Sequence, residues 1–180
     1  HLVTGATGNI GTLVTRRLIE SGVRPCIFVR DEMKARALFG DAVEIRVGDL
    51  SASQQSLVAA FAGMETLFLL NSGPDLAARD RVGALAAKTA GVSHLVKLST
   101  LDVLTGVGTG PWHAQGETAV HESGLSYTFI MSAGFMSNAL YWAQAIKTES
   151  ALRSSTGKGK ISFIHPDDIA DDDDDEDDED

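Results

Sequence analysis

Residues 3–14 read VTGATGNIGTLV. Gly5, Gly8 and Gly11 fall three apart, apolar Leu2 and Val3 lead into them, and a run with helical spacing follows. Each glycine has a separate physical use in a strand–loop–helix. Gly5 permits a tight turn where a Cβ would clash, Gly8 lets a pyrophosphate approach the backbone, and Gly11 lets the helix pack closely on a sheet. The helix start, with Thr7, Gly8, Asn9 and Ile10 around it, offers free N–H groups and a positive dipole end to phosphates. A glycine-rich turn without a ligand would show the same three residues. The strand before and the helix after are what favour nucleotide binding. The loop is not a Walker A motif, because Gly-Lys-Ser/Thr is absent.

Outward from this loop, apolar runs and helical patterns alternate. The runs are HLVT, PCIFVR, VEIRV, TLFLL, HLVKLS, YTFIM and ISFI; the helical segments are 10–21, 31–39, 53–61, 75–90, 113–123 and 135–148. Strands alternating with helices predict βαβ units, hence an α/β protein with a parallel sheet. Several runs are apolar throughout, as in a doubly wound sheet covered by helices on both faces.

Composition narrows the function classes. The chain has 180 residues, enough for one domain. The single cysteine, Cys26, excludes an internal disulfide and a Cys-rich zinc site, and no metal site is predicted. No apolar run reaches a membrane-spanning length, and no leader is read at the start, so a cytoplasmic protein is expected. The net charge of −10 comes from the ten acids of residues 171–180; without them, 15 acids face 15 Lys and Arg. No basic cluster points to nucleic acid.

The choice of dinucleotide is read at the end of the second run, IFVRDEMKAR. An acid there would hold the ribose 2′-OH of NAD, and an arginine suits the 2′-phosphate of NADP. Arg30 comes first, with Lys34 close by, which favours NADP(H) and leaves NAD(H) as the alternative; Asp31 can equally be a helix N-cap. Asp49, followed by Leu50 in GDL, either accepts from an adenine amino group or supports a turn. Asn71, Ser72 and Gly73 end the fourth run, at the carboxyl edge where dinucleotides lie.

Taken together these motifs resemble the NmrA-like group of atypical short-chain dehydrogenases/reductases. LVTGATGNIG, FVRD, GDL, GPDLAARDR, GVSHLVKLST, WHAQGETAVHESGLSYTFI, GFMSN and ISFIHPDDIA carry the likeness in that order, over residues 2–170. The resemblance implies a Rossmann fold with NAD(P) across the strand ends. It also implies one of several roles: quinone reductase, dye or azo-compound reductase, tailoring enzyme or non-catalytic redox sensor.

Short-chain dehydrogenases typically place a serine at the end of the fifth strand and Y-x-x-x-K on the next helix. Ser99 matches the serine and could also bind the cofactor ribose. His113 and Glu117 stand where Tyr and Lys are expected. Hydride transfer to an ordinary ketone leaves a basic alkoxide that needs an acid, whereas a quinone yields a delocalised anion that needs less help. His113 is a candidate donor near neutral pH, with Glu117 one turn away to orient it or raise its pKa; a structural His–Glu pair is the competing reading.

Trp112, Phe135, Met136, Tyr141 and Trp142 are candidates for an aromatic-accepting substrate pocket, although such a stripe also suits a core. The family commonly has Arg-Pro-Gly where this chain has Ser132-Ala133-Gly134. His165-Pro166-Asp167-Asp168 reads as a strand-to-helix turn capped by an Asp. Residues 1–170 are expected to form the NAD(P)-binding domain, with an incomplete substrate-covering part. Residues 171–180 are expected to be a disordered or non-natural acidic tail in place of the apolar helix with which the family continues.

The expected function is NAD(P)H-dependent hydride transfer to a quinone or electron-poor aromatic small molecule. The alternative is a dinucleotide-sensing regulator without turnover. An isomerase or epimerase fits poorly without Tyr and Lys. A homodimer is compatible with either of the first two.

Overall fold

The computed structural model describes residues 1–153, 159–160 and 162–171 of the chain. The elements run in order: β1 (Leu2–Thr4), α1 (Asn9–Glu20), β2 (Cys26–Val29), α2 (Glu32–Phe39), β3 (Glu44–Val47), α3 (Gln54–Phe61), β4 (Thr66–Leu69) and α4 (Leu76–Ala90). They continue with β5 (His94–Thr100), a 3₁₀ turn (Leu101–Leu104), α5 (Gly110–Ser123), β6 (Ser126–Ser132), β7 (Gly134–Phe135), a 3₁₀ segment (Met136–Trp142), α6 (Ala143–Glu149), β8 (Phe163–Ile164) and α7 (Pro166–Asp171).

The first six strands pair in parallel, in the order β3-β2-β1-β4-β5-β6. The chain therefore starts at the middle of the sheet, winds out to β3, then returns past β1 to build the other half. The strand order reverses between β1 and β4, which opens a crevice at their carboxyl ends. Thr4 fastens that point: its hydroxyl donates to the carbonyls of Phe68 (3.2 Å) and Leu70 (3.0 Å), and its oxygen accepts from the Leu70 amide at 2.8 Å.

The apolar runs are explained by period-two sorting onto two cores. Leu2, Cys26, Phe28, Leu67, Leu69 and Leu95 join one core with Leu57 and Phe61 of α3, Ala84 and Ala87 of α4 and Val120 of α5. Val3, Ile27, Val29, Phe68, Val96 and Leu98 join the other with Ile10 and Val14 of α1, Ala35 and Phe39 of α2, and Ile169 and Ala170 of α7. Neighbours in one strand face opposite layers, so both must be apolar. This is the doubly wound α/β architecture that the alternation predicts.

The C-terminal part departs from expectation. The helix predicted at 135–148 is a 3₁₀ segment followed by the short α6. The segment leaves Leu140 (75 %) and Tyr141 (80 %) exposed, so little packing holds a full helix. Of the ISFI run, Phe163–Ile164 pair with β7 in a separate two-stranded sheet, and Ile161 lies outside the described residues. No Asp caps α7. His165 precedes it, its Nδ1 accepting from the Asp167 amide at 3.3 Å, and Asp167 and Asp168 lie in the first turn. Asp171 is the last residue of that helix and pairs with Arg17 on α1 at 2.7 Å. The rest of the predicted acidic tail, 172–180, lies outside the described residues.

Candidate functional site

At the crevice between β1 and β4 lies a cleft of about 390 Å³. The glycine loop forms its floor through Thr4, Gly5, Thr7 and Gly8. Phe28, Val29, Arg30 and Lys34 come from the end of β2 and the start of α2; Gly48, Asp49 and Leu50 follow β3; Leu70, Asn71 and Ser72 follow β4; Arg79 reaches in from α4. A second hollow of about 430 Å³ shares Thr7, Gly8 and Lys34 and extends over Asn9, Leu13 and Leu38 to His165 and Asp167.

Gly5 and Gly11 take the geometry their spacing predicts. Gly5 has φ +62°, and a Cβ there would come within 2.4 Å of the Leu70 side chain. A Cβ on Gly11 would lie 2.3 Å from the Gly5 carbonyl oxygen, so only glycine lets α1 begin so close to the loop. At Gly8 the nearest atom to such a Cβ is the Gly5 oxygen at 3.2 Å, and the position faces the cleft. No side chain caps the first turn of α1, which leaves its N–H groups for an anion. A pyrophosphate fits this cradle. Ile10, by contrast, sends its side chain into the core (3 % exposed) and has only its backbone to offer.

Cations rim the cleft. Arg30 is 83 % exposed and meets Asp49 only at 3.7 Å. Asp31 serves as the N-cap of α2, accepting from the Lys34 amide at 2.9 Å, so it is committed to the helix. Asp49 supports a turn: it accepts from the Ser51 amide at 2.7 Å, and that bond holds its carboxyl below the usual range. Arg79 escaped the sequence reading. It donates to Ser51 Oγ (3.2 Å) and to the Ser72 carbonyl (3.0 Å), bridging the loops that follow β3 and β4. Nothing in the helical pattern of α4 marks it out. Gly73 (φ +96°) shapes the second of these loops but does not line the cleft.

The candidate acid–base residues are arranged differently from expectation. Glu117 does not orient His113. It accepts a short hydrogen bond from Ser99 Oγ, and Ser99 is 2 % exposed. With its proton committed to a carboxylate, Ser99 has only lone pairs left to offer. His113 is half-buried with Nδ1 unpartnered among the described residues. Burial, reinforced by the Lys97 ammonium, pushes its pKa down to about 4. It is neutral at pH 7, opposite to the raised pKa that a Glu117 partner would give.

Two further residues missed from sequence lie under the cleft wall. Lys97 of β5 and Asp80 of α4 form an ion pair at 2.8 Å, with side chains 1 % and 0 % exposed. The available signal was a lysine inside an apolar run whose neighbours are all buried.

The substrate-side candidates do not gather in either hollow. Met136 (49 %), Tyr141 (80 %) and Trp112 (38 %) are exposed, and Phe135 and Trp142 are partly buried on the same C-terminal stretch. Among the described residues no group of His, Cys, Asp or Glu could hold a metal, and no helix is long and apolar enough to cross a membrane.

A doubly wound parallel sheet with a glycine-loop cradle at its switch point defines a dinucleotide-binding Rossmann protein. The chain belongs to the NAD(P)H-binding family, whose model matches residues 5–171. This agrees with its resemblance to the NmrA-like dehydrogenases. It is 36 % identical over 178 residues to an NAD(P)H azoreductase of Xenophilus azovorans, covering 94 % of this chain and 60 % of the relative. In structure it is similar to the NADPH-dependent quinone oxidoreductase QOR2 of Escherichia coli complexed with NADPH: TM-score 0.85, 29 % identity, 94 % of this chain and 61 % of that one. It is also similar to the Citrobacter triphenylmethane reductase complexed with NADP(H), with TM-score 0.83, 26 % identity and coverage of 94 % and 62 %. The chain spans about 60 % of the length of the azoreductase and of QOR2.

Proposed function

We propose that this protein is an NADPH-dependent reductase of quinones or similarly electron-poor aromatic compounds, acting in the cytoplasm. The observation that carries the cofactor reading is the uncapped glycine-loop cradle rimmed by Arg30, Lys34 and Arg79. Gly5, Thr7, Gly8, Asn9 and the N–H groups of Ile10 and Gly11 hold the pyrophosphate. Arg30 and Lys34 meet the 2′-phosphate, Asp49 and Leu50 border the adenosine, and Asn71 and Ser72 line the half beyond β1. When bound, the nicotinamide supplies the hydride.

The acceptor class is supported by what this protein's described residues offer. Its histidine is neutral at pH 7, its glutamate is taken up by Ser99, and Ser99 has no free proton. Such a site gives little help to a ketone, whose reduction leaves a localised alkoxide. It suffices for a quinone or an azo dye, where the reduced anion is delocalised and takes its proton from water, and for a cationic triarylmethane dye, where hydride transfer gives a neutral product that needs no proton. Trp112, Phe135, Met136, Tyr141 and Trp142 supply flat apolar surface for such an acceptor.

The test is NADPH oxidation against a panel of quinones, dyes and ketones, with cofactor binding followed by fluorescence. Turnover of quinones or dyes above background, with ketones inert, is the expected result. Tight NADPH binding without turnover on any acceptor would replace the enzyme by a dinucleotide sensor. A homodimer is compatible with this reading and is checked by sedimentation.

A further inference from the structure

The layer between β5 and helices α4 and α5 is apolar apart from a line of polar side chains leading to the cleft. Asp80 is its centre and is completely buried. One oxygen, Oδ1, accepts from Asn71 Nδ2 at 2.5 Å; the other, Oδ2, faces Lys97 Nζ at 2.8 Å. The ammonium also donates to the Leu98 carbonyl at 3.2 Å. Space is kept for this cluster. A Cβ on Gly116 of α5 would come within 2.2 Å of Asp80 Oδ2.

A buried ion pair is a poor way to gain stability, since apolar residues of the same volume do as well. Burial pushes the Asp80 carboxyl up, and Lys97 and Asn71 act against it. What the pair does impose is direction. A carboxylate only accepts, so Asn71 must turn its NH₂ toward Asp80 and its carbonyl oxygen away. That oxygen, Oδ1, is buried and has no hydrogen-bond partner among the described residues, although Asn71 lines the cleft. An orphaned amide oxygen at a cleft wall calls for a donor from outside the protein. Asn71 follows β4, which lies on the opposite side of β1 from β2 and its Arg30. It faces the half of the cleft away from the 2′-phosphate.

Resting on the dinucleotide reading of the cleft, we infer that Asn71 Oδ1 accepts a hydrogen bond from a ribose hydroxyl of the nicotinamide half. The buried Asp80–Lys97 pair is the positioning device that holds the amide in that orientation.

The experiment compares two double variants that both remove the ion pair. Asp80→Leu with Lys97→Met leaves Asn71 Nδ2 only the long contact to the Leu76 carbonyl at 3.5 Å, whereas Asp80→Asn with Lys97→Met keeps an amide oxygen for it. Affinities for NADPH and for adenosine 2′,5′-bisphosphate, which lacks the nicotinamide half, are measured with the melting temperature. The Leu/Met variant and Asn71→Ala should each weaken NADPH by about tenfold, the usual worth of one hydrogen bond. Combining them should cost nothing further. The Asn/Met variant should return to within about threefold of the wild type. Affinity for the bisphosphate should stay constant throughout. If the Leu/Met protein does not fold, Asn71→Ala with and without Asp80→Asn and Lys97→Met carries the same comparison. Equal NADPH affinity in both doubles and the wild type would overturn the inference while leaving the cleft reading intact. Failure of the wild type to bind either ligand would overturn both.

Discussion

Arg30 and Asp31 are adjacent, yet only one of them faces the cleft. The backbone turns from strand to helix between them, so Asp31 caps α2 and the Arg30 guanidinium stays open to a ligand. Arg30→Ala should therefore weaken NADPH more than NADH, by roughly 10- to 150-fold, the worth of one charge-assisted contact. Equal losses for the two cofactors, measured by titration, would remove Arg30 as the discriminator. Gly8→Val should abolish binding of both, because the side chain would occupy the pyrophosphate's approach, while the far-UV spectrum stays that of a folded protein. His113 gives a pH signature. Its folded pKa is about 4 against an ordinary 6.5, so the unfolded chain takes up the proton first as pH falls. Its contribution to stability is complete above pH 7 and is lost progressively between about 6.5 and 4. The urea midpoint of the wild type should thus fall more steeply over that window than that of His113→Gln. Turnover should show no histidine titration between pH 6 and 8. The sequence offers His113 as a candidate acid but not its charge state, because neither burial nor a lysine on strand β5 can be read from residue spacing.

At the scale of elements, close packing at two glycines fixes how helices meet their neighbours. Gly11→Ala would force a Cβ to within 2.3 Å of a backbone oxygen that cannot move cheaply, and Gly116→Ala would press on the buried Asp80 at 2.2 Å. Each should destabilise by about 1–3 kcal/mol, as overpacked sites do, and be seen as a lower melting temperature. Gly116→Ala should in addition weaken NADPH, since Asp80 holds Asn71. The elements up to β6 were legible because short apolar runs alternate with helical patterns, and several helices carry a cap or a glycine at an end, such as Asp31 before α2 and Gly91 after α4. After β6 the local signals weaken. The MSNALYW stretch has helical apolar spacing but no layer to pack against, so it takes the tighter 3₁₀ form.

For the whole molecule, the two halves of the sheet meet at one seam, and the chemistry is divided across it. The β2–β3 half carries Arg30 and Lys34, which the proposed binding mode gives to the 2′-phosphate; the β4–β5 half carries Arg79, Asn71, Ser99 and the buried pair. Lys97→Met alone should cost about 3–5 kcal/mol, because it leaves Asp80 buried without its counter-charge, while adding Asp80→Leu should recover most of that loss. Denaturant titration of the single and double variants checks the difference. From its sequence alone this chain determined the parallel α/β layering, the glycine loop after β1 and the Asp31 cap of α2. Those features rest on local periodicity and on backbone conformations that neighbouring residues dictate. Tertiary structure alone decided that Glu117 serves Ser99 rather than His113, that Arg79 bridges two loops of the cleft, and that Lys97 finds Asp80. In each case the partners are far apart in sequence or belong to different elements, and only the folded chain brings a buried charge to the group that answers it.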